Sequence, residues 1–203
     1  DADPMDVRYN TIQWVHRSTR GWSYGYSVVD PRSGEIIKGH VSLGSLRVRQ
    51  DFMIAEGLLA PYVDDEVPST MLEMSLARIR QLSAHEVGHT LGIEHNFAAS
   101  VNDRSSVMDY PFPMIRFADN GSLDLSDAYG VGIGPWDKRT IDYGYRDFPA
   151  GVDAQAAREA ILAQTYAEGF LFVADGDSRN PGTAHPDGNL WDNGSDAIAE
   201  LNK

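Results

Sequence analysis

The sequence predicts an α+β fold, with strands gathered in the first third of the chain and helices behind them. Three observations carry that reading. Up to about Leu43 the chain holds runs rich in β-branched and aromatic residues. From Thr70 apolar residues recur at helical intervals, and residues 153–167 carry an Ala-rich face.

Val7 to His16 (VRYNTIQWVH) reads as the first strand. Tyr24 to Val29 and Ile36 to Leu43 flank Asp30-Pro31-Arg32-Ser33-Gly34, a turn-forming cluster, and so predict a hairpin. Gln50 to Leu59 is ambiguous, and Ala60-Pro61 to Val67-Pro68 reads as an acidic loop. Thr70 and Glu73 have capping-box spacing, after which Met71, Leu72, Met74, Leu76, Ile79, Leu82 and Val87 trace a helix from about Met71 to Leu91. Gly92 supplies the left-handed residue that ends it. A loop to about Asp109 and a Pro- and Gly-rich stretch to Pro135 follow. Helices are then expected around Trp136 to Tyr143 and Asp153 to Ala167, with a tail from Asp175 onward that is mostly loop.

At 203 residues the chain can bury one substantial core. Its net charge of -13 argues against nucleic acid or an anionic membrane surface as partner, since both require clustered Lys and Arg. No stretch approaches the roughly 20 apolar residues of a membrane-spanning helix. With no Cys, any zinc must be held by His, Asp or Glu. The chain opens on Asp1-Ala2-Asp3-Pro4 without a signal-peptide pattern, which reads like the middle of a longer protein.

His85 and His89 stand four residues apart on the long helix, so their imidazoles leave one face and can reach one ion at about 2.0 to 2.1 Å. Glu86 cannot ligate with the same geometry, but it can take a proton from a water that the ion activates. Gly92 lets the chain turn back so that His95 supplies a third nitrogen and a fourth position stays open. The full H-E-x-x-H-x-x-G-x-x-H string arises by chance in fewer than roughly one in 10⁴ chains of this length. His16, His40 and His185 lack ligand spacing and are read as structural or exposed. Asp175-Gly176-Asp177-Ser178-Arg179 is rejected as a calcium loop, because Arg179 stands where an EF-hand needs an oxygen.

HEVGHTLGIEH, residues 85–95, resembles the metzincin consensus, and Ser106-Val107-Met108-Asp109-Tyr110 looks like its Met-turn. Over Asp6 to Pro149 the surrounding text is similar to large bacterial zinc-dependent metallopeptidases with a Met-zincin domain. The resemblance implies a metzincin-like catalytic domain over residues 1–149, a twisted mixed sheet packed on the long helix with a helical C-terminal part, and residues 150–203 as a C-terminal helix and loop-rich tail packed on it. It implies zinc on His85, His89 and His95, Glu86 as catalytic base, Met108 as an apolar floor, and Tyr110 as a donor to the oxyanion. It further implies hydrolysis of protein or peptide substrates, an apolar pocket walled by Pro111-Phe112-Pro113-Met114-Ile115, and an extracytoplasmic location. Asn96, after the third His, is none of the residues that mark the best-studied metzincin families.

Two other functions compete with the endopeptidase. A silent binding module of the same fold is disfavoured because Glu86 and all three His residues are kept; a zinc hydrolase of a non-peptide amide has the same site chemistry. The resemblance also implies an N-terminal strand, helix and strand that six leading residues cannot supply, so the free edge of Val7 to His16 is expected to be covered by residues beyond Gly151 or by a neighbouring copy, or else to lie open. Oligomeric state stays open.

Overall fold

The computed structural model describes residues 3–19, 21–59 and 68–202. Strand β1 (Thr11–Val15) runs parallel to β3 (Ile36–Gly44), and β2 (Tyr24–Val29) runs antiparallel on the other side of β3, giving a mixed sheet of order β1-β3-β2. The expected hairpin is there. Asp30 N–H donates to the Glu35 carbonyl at 2.9 Å, and Gly34 takes φ of 76° within the turn. The first strand is shorter than Val7 to His16, because residues before Thr11 form turns held on the Lys38 ammonium by the Asp6 and Tyr9 carbonyls. No strand pairs with the other edge of β1 among the described residues.

Helix α1 (Leu46–Leu59) settles the ambiguous stretch. Asp51 and Ala55, one turn apart, are its buried residues, so a carboxylate interrupts the apolar stripe and hides the helical period. Arg47 one turn earlier offsets the charge, pairing with Asp51 at 2.5 and 2.9 Å. Helix α2 (Ser69–Thr90) begins at N-cap Pro68 without a side-chain cap. The capping box expected at Thr70 and Glu73 is therefore absent: Thr70 already lies inside the first helical turn, where its backbone cannot act as a cap. The acidic loop expected at 60–67 lies outside the described residues.

Two compact units make up the chain, each with its own packing. The first runs through Ile93 and includes Pro113–Gly132. Within it Val41 and Leu43 of β3 pack on Leu82 of α2, while Ala55, Met71, Met74, Leu125, Ala128 and Tyr129 form a second apolar cluster. The short strands β4 (Arg116–Phe117) and β5 (Leu123–Asp124) pair in this unit. The buried face of α2 is unusually polar. It carries Ser75, Arg78, Gln81, His85 and Glu86, and such groups are costly to bury without partners or a task.

The second unit comprises Glu94–Phe112 and Ile133–Asn202. Helix α3 (Pro135–Tyr145) places Pro135 in its first turn, where the missing N–H costs nothing. Helix α4 (Ala154–Ala167) is capped by Asp153, whose carboxylate accepts from the amides of Gln155 and Ala156. Arg139 pairs with Glu168 at 2.5 Å between the two helices' ends, and Trp136 stacks on Phe172 at 5.6 Å. As expected the tail is mostly irregular, with short helices α5 (Asp175–Ser178) and α6 (Ala197–Leu201). No described helix is long and apolar enough to cross a membrane.

Candidate metal centre

Near the end of α2 the backbone does what the Gly92 spacing predicts. Gly92 takes φ of 81°, its N–H donates to the His89 carbonyl at 3.0 Å, and the Ile93 N–H donates to the Gly88 carbonyl at 3.2 Å. These two bonds form the reversal that closes many helices on a glycine, and they turn the chain back toward its own last turn.

His85 and His89 face each other from successive turns, their Nε2 atoms 3.2 Å apart and their rings nearly perpendicular. Two nitrogens at zinc-ligand distance around a tetrahedral ion stand about 3.3 Å apart, so the pair already has the needed span. His95 completes the set: the ligand nitrogens of the three residues lie within 4.8 Å of one another. Among the described residues they form the cluster able to hold a metal, and His16, His40 and His185 are not part of it.

The Nδ1 atoms of His89 and His95 each have a partner of their own. His89 Nδ1 lies 2.9 Å from the Ile93 carbonyl, which fixes that nitrogen as a donor and Nε2 as the lone pair. His95 Nδ1 lies 2.5 Å from the Asp175 carboxylate. A donor set of three imidazoles fits zinc better than calcium or magnesium, which take oxygen ligands.

Glu86 is 4 % exposed. Burial lifts its carboxyl to about 7 from the ordinary 4.5, opposed by the Gly25 N–H and by the positive charge of buried Arg78. Gly25 on β2 approaches so closely that a Cβ there would lie 2.0 Å from the Glu86 carbonyl oxygen. Only glycine lets strand and helix meet at this point.

Met108 is 1 % exposed, and its carbonyl accepts the Asn96 N–H at 3.0 Å. The turn around it is tied down by Asp137 of α3, whose carboxylate accepts from Ser106 Oγ at 2.6 Å and from Val107 N at 2.9 Å. Tyr110, half-buried, lies with its ring 4.6 Å from that of His95 and stacks on Trp191 at 5.2 Å.

Residues 68–203 match the profile of the Met-zincin family. The chain belongs to that family. No curated protein and no solved structure gives a significant match. In this Met-zincin the three histidines of the sequence pattern lie together, and Tyr110 stands beside the third. Sequence reading missed four contributors: Gly25, Asn96, Asp175 and Trp191. Asn96 is fully buried and spans to the 171–173 segment, donating to the Leu171 carbonyl at 2.9 Å and accepting the Val173 N–H at 3.1 Å. Its departure from the familiar metzincin residues was the available signal. Asp175 was weighed only as a calcium ligand, and nothing in local spacing marks Gly25 or Trp191.

Proposed function

We propose that this Met-zincin is a zinc-dependent endopeptidase with His85, His89 and His95 as the metal ligands and Glu86 as general base. The observation that carries the reading is the 3.2 Å approach of the His85 and His89 Nε2 atoms, on the same helix as a buried Glu86. Zinc bound there supplies Lewis acidity, which lowers the pKa of water and polarises a carbonyl.

Glu86 takes the proton of the attacking water and delivers it to the leaving amine. Its burial favours both roles, since a carboxyl whose pKa is raised toward neutrality exchanges protons readily near pH 7. The Gly25 N–H holds the carboxylate in place. Tyr110, beside His95, directs its hydroxyl to the oxyanion that develops on the scissile carbonyl. Met108 is the buried apolar floor of the same turn.

Residues 1–149 form the catalytic part, and residues 150–203 support it through Asp175 and Trp191. The substrate is protein or peptide, with an apolar side chain after the cut bond facing Pro111-Phe112-Pro113-Met114-Ile115. An extracytoplasmic location fits the family resemblance. A random peptide library incubated with the zinc-loaded chain and read by mass spectrometry tests the proposal. Chelator-sensitive cleavage ahead of apolar residues is expected. Acylated sugars cleaved in place of peptides would support the non-peptide alternative instead.

A further inference from the structure

His95 differs from His89 in what stands behind it. The His89 Nδ1 meets a main-chain carbonyl four residues away, whereas the His95 Nδ1 meets a carboxylate eighty positions along the chain, Asp175 Oδ2, at 2.5 Å. The second oxygen of the same carboxylate is held by Arg179 Nη1 at 3.1 Å. The approach to Asp175 is itself built into the main chain: Phe97 N–H donates to the Val173 carbonyl at 2.9 Å, and Asn96 Oδ1 accepts the Val173 N–H at 3.1 Å. Val173 and Ala174, just before Asp175, are buried. Two residues past the third histidine are thus zipped to the segment that ends in this carboxylate.

Resting on the zinc reading above, we infer that Asp175 is a positioning residue for His95. Its carboxylate takes the Nδ1 proton in a hydrogen bond, fixes the tautomer with the lone pair on Nε2, and raises the basicity of that nitrogen toward a metal. A main-chain carbonyl does the first two for His89, but only a carboxylate adds a full negative charge behind the ring. Arg179 keeps the carboxylate turned, because it occupies the oxygen that His95 does not use. The spacing of the sequence motif says nothing of this, and the C-terminal tail thereby acquires a task at the metal.

The test compares the zinc-binding constants of the 203-residue chain, measured by competition with a chelating dye, for wild type, Asp175→Asn and Asp175→Ala. Loss of such a carboxylate typically weakens metal affinity about 10- to 100-fold. Asp175→Ala should show the full loss, and Asp175→Asn, which can still accept from Nδ1, a smaller one. Melting of the metal-free proteins separates positioning from plain structure. Positioning leaves the metal-free melting temperature near that of wild type and shrinks the rise that zinc produces. A second measurement needs no variant: long-range ¹H–¹⁵N spectra of the zinc-loaded wild type should show His95 protonated at Nδ1. Zinc bound by Asp175→Ala as tightly as by wild type would overturn the inference while leaving the zinc site standing. So would coordination of His95 through Nδ1, or a loss of affinity matched by an equal loss of metal-free stability. A wild-type chain that binds no zinc would remove both the inference and the function it rests on.

Discussion

His85 and His89 are held in a different way from His95. The first two stand four residues apart on one face of α2, with their Nε2 atoms 3.2 Å apart. His95 sits in a loop whose course is set by partners far along the chain: Asn96 on Leu171 and Val173, Phe97 on Val173, and Tyr110 on Trp191. On the zinc reading proposed above, the difference teaches where each histidine is vulnerable: the helical pair fails when the helix or its packing fails, and the loop histidine fails when distant residues let go.

The largest expected effect is on the loop side. Asn96→Ala leaves the buried Val173 and Ala98 N–H groups without their acceptor and the Leu171 carbonyl without its donor, and unsatisfied buried groups cost about 1 to 3 kcal/mol each. Thermal or urea unfolding should show a loss of about 3 to 5 kcal/mol. Zinc affinity should fall as well, because the loop that carries His95 is released. An Asn96→Ala protein with native stability would show that the loop holds its own shape.

Gly25→Ala attacks the helical side. A methyl group 2.0 Å from the Glu86 carbonyl oxygen meets main chain and not a mobile side chain, so β2 must move off α2. Overpacking of this kind costs about 1 to 3 kcal/mol, and it also withdraws the N–H that holds the Glu86 carboxylate. Turnover should fall more than zinc affinity in this variant. Equal activity to wild type would mean that the close approach has no bearing on the base.

Tyr110→Phe tests one atom. Removing a single donor to the oxyanion should lower the rate about 10- to 100-fold, less than loss of a dedicated hole, with zinc retained. An unchanged rate would leave Tyr110 a packing partner of His95 and Trp191 alone.

A further effect concerns pH. Burial lifts the Asp109 carboxyl to about 7 from 3.8; the Tyr110 N–H works against this, and the Asp192 charge adds to it. Because the folded value lies above the unfolded one, this group's contribution is fully present below about pH 4 and is lost as pH rises through about 7. The melting temperature of Asp109→Asn relative to wild type should therefore shift in the variant's favour between those two values. A difference that stays constant over that range would contradict the burial argument.

What could be read from the sequence follows the same division. The spacing of His85, Glu86, His89, Gly92 and His95 encodes a local geometry, and every step of it reappears in the backbone of α2 and its closing turn. The hairpin of β2 and β3 was legible for the same reason, since its turn residues and alternation are neighbours in sequence. Helix α1 was hard to read because Asp51 occupies its buried face, where Arg47, Arg78 and Tyr129 support it. Thr70 and Glu73 had the right spacing for a cap, but α2 starts earlier, at Pro68. Asp175 and Trp191 were invisible as site residues because their meaning lies in contacts across 80 and 81 positions, with His95 and Tyr110 respectively. Trp191 holds φ of 62°, a strained value for an aromatic residue, and no spacing rule announces it.

The most direct test of the central claim is a paired measurement on Glu86→Ala: bound zinc per chain, and turnover of a peptide that the wild type cleaves. The substitution deletes a base and no ligand. One zinc per chain should remain while turnover falls about 10²- to 10⁴-fold, the usual contribution of general acid-base catalysis. Wild-type turnover in the zinc-loaded variant would contradict the account.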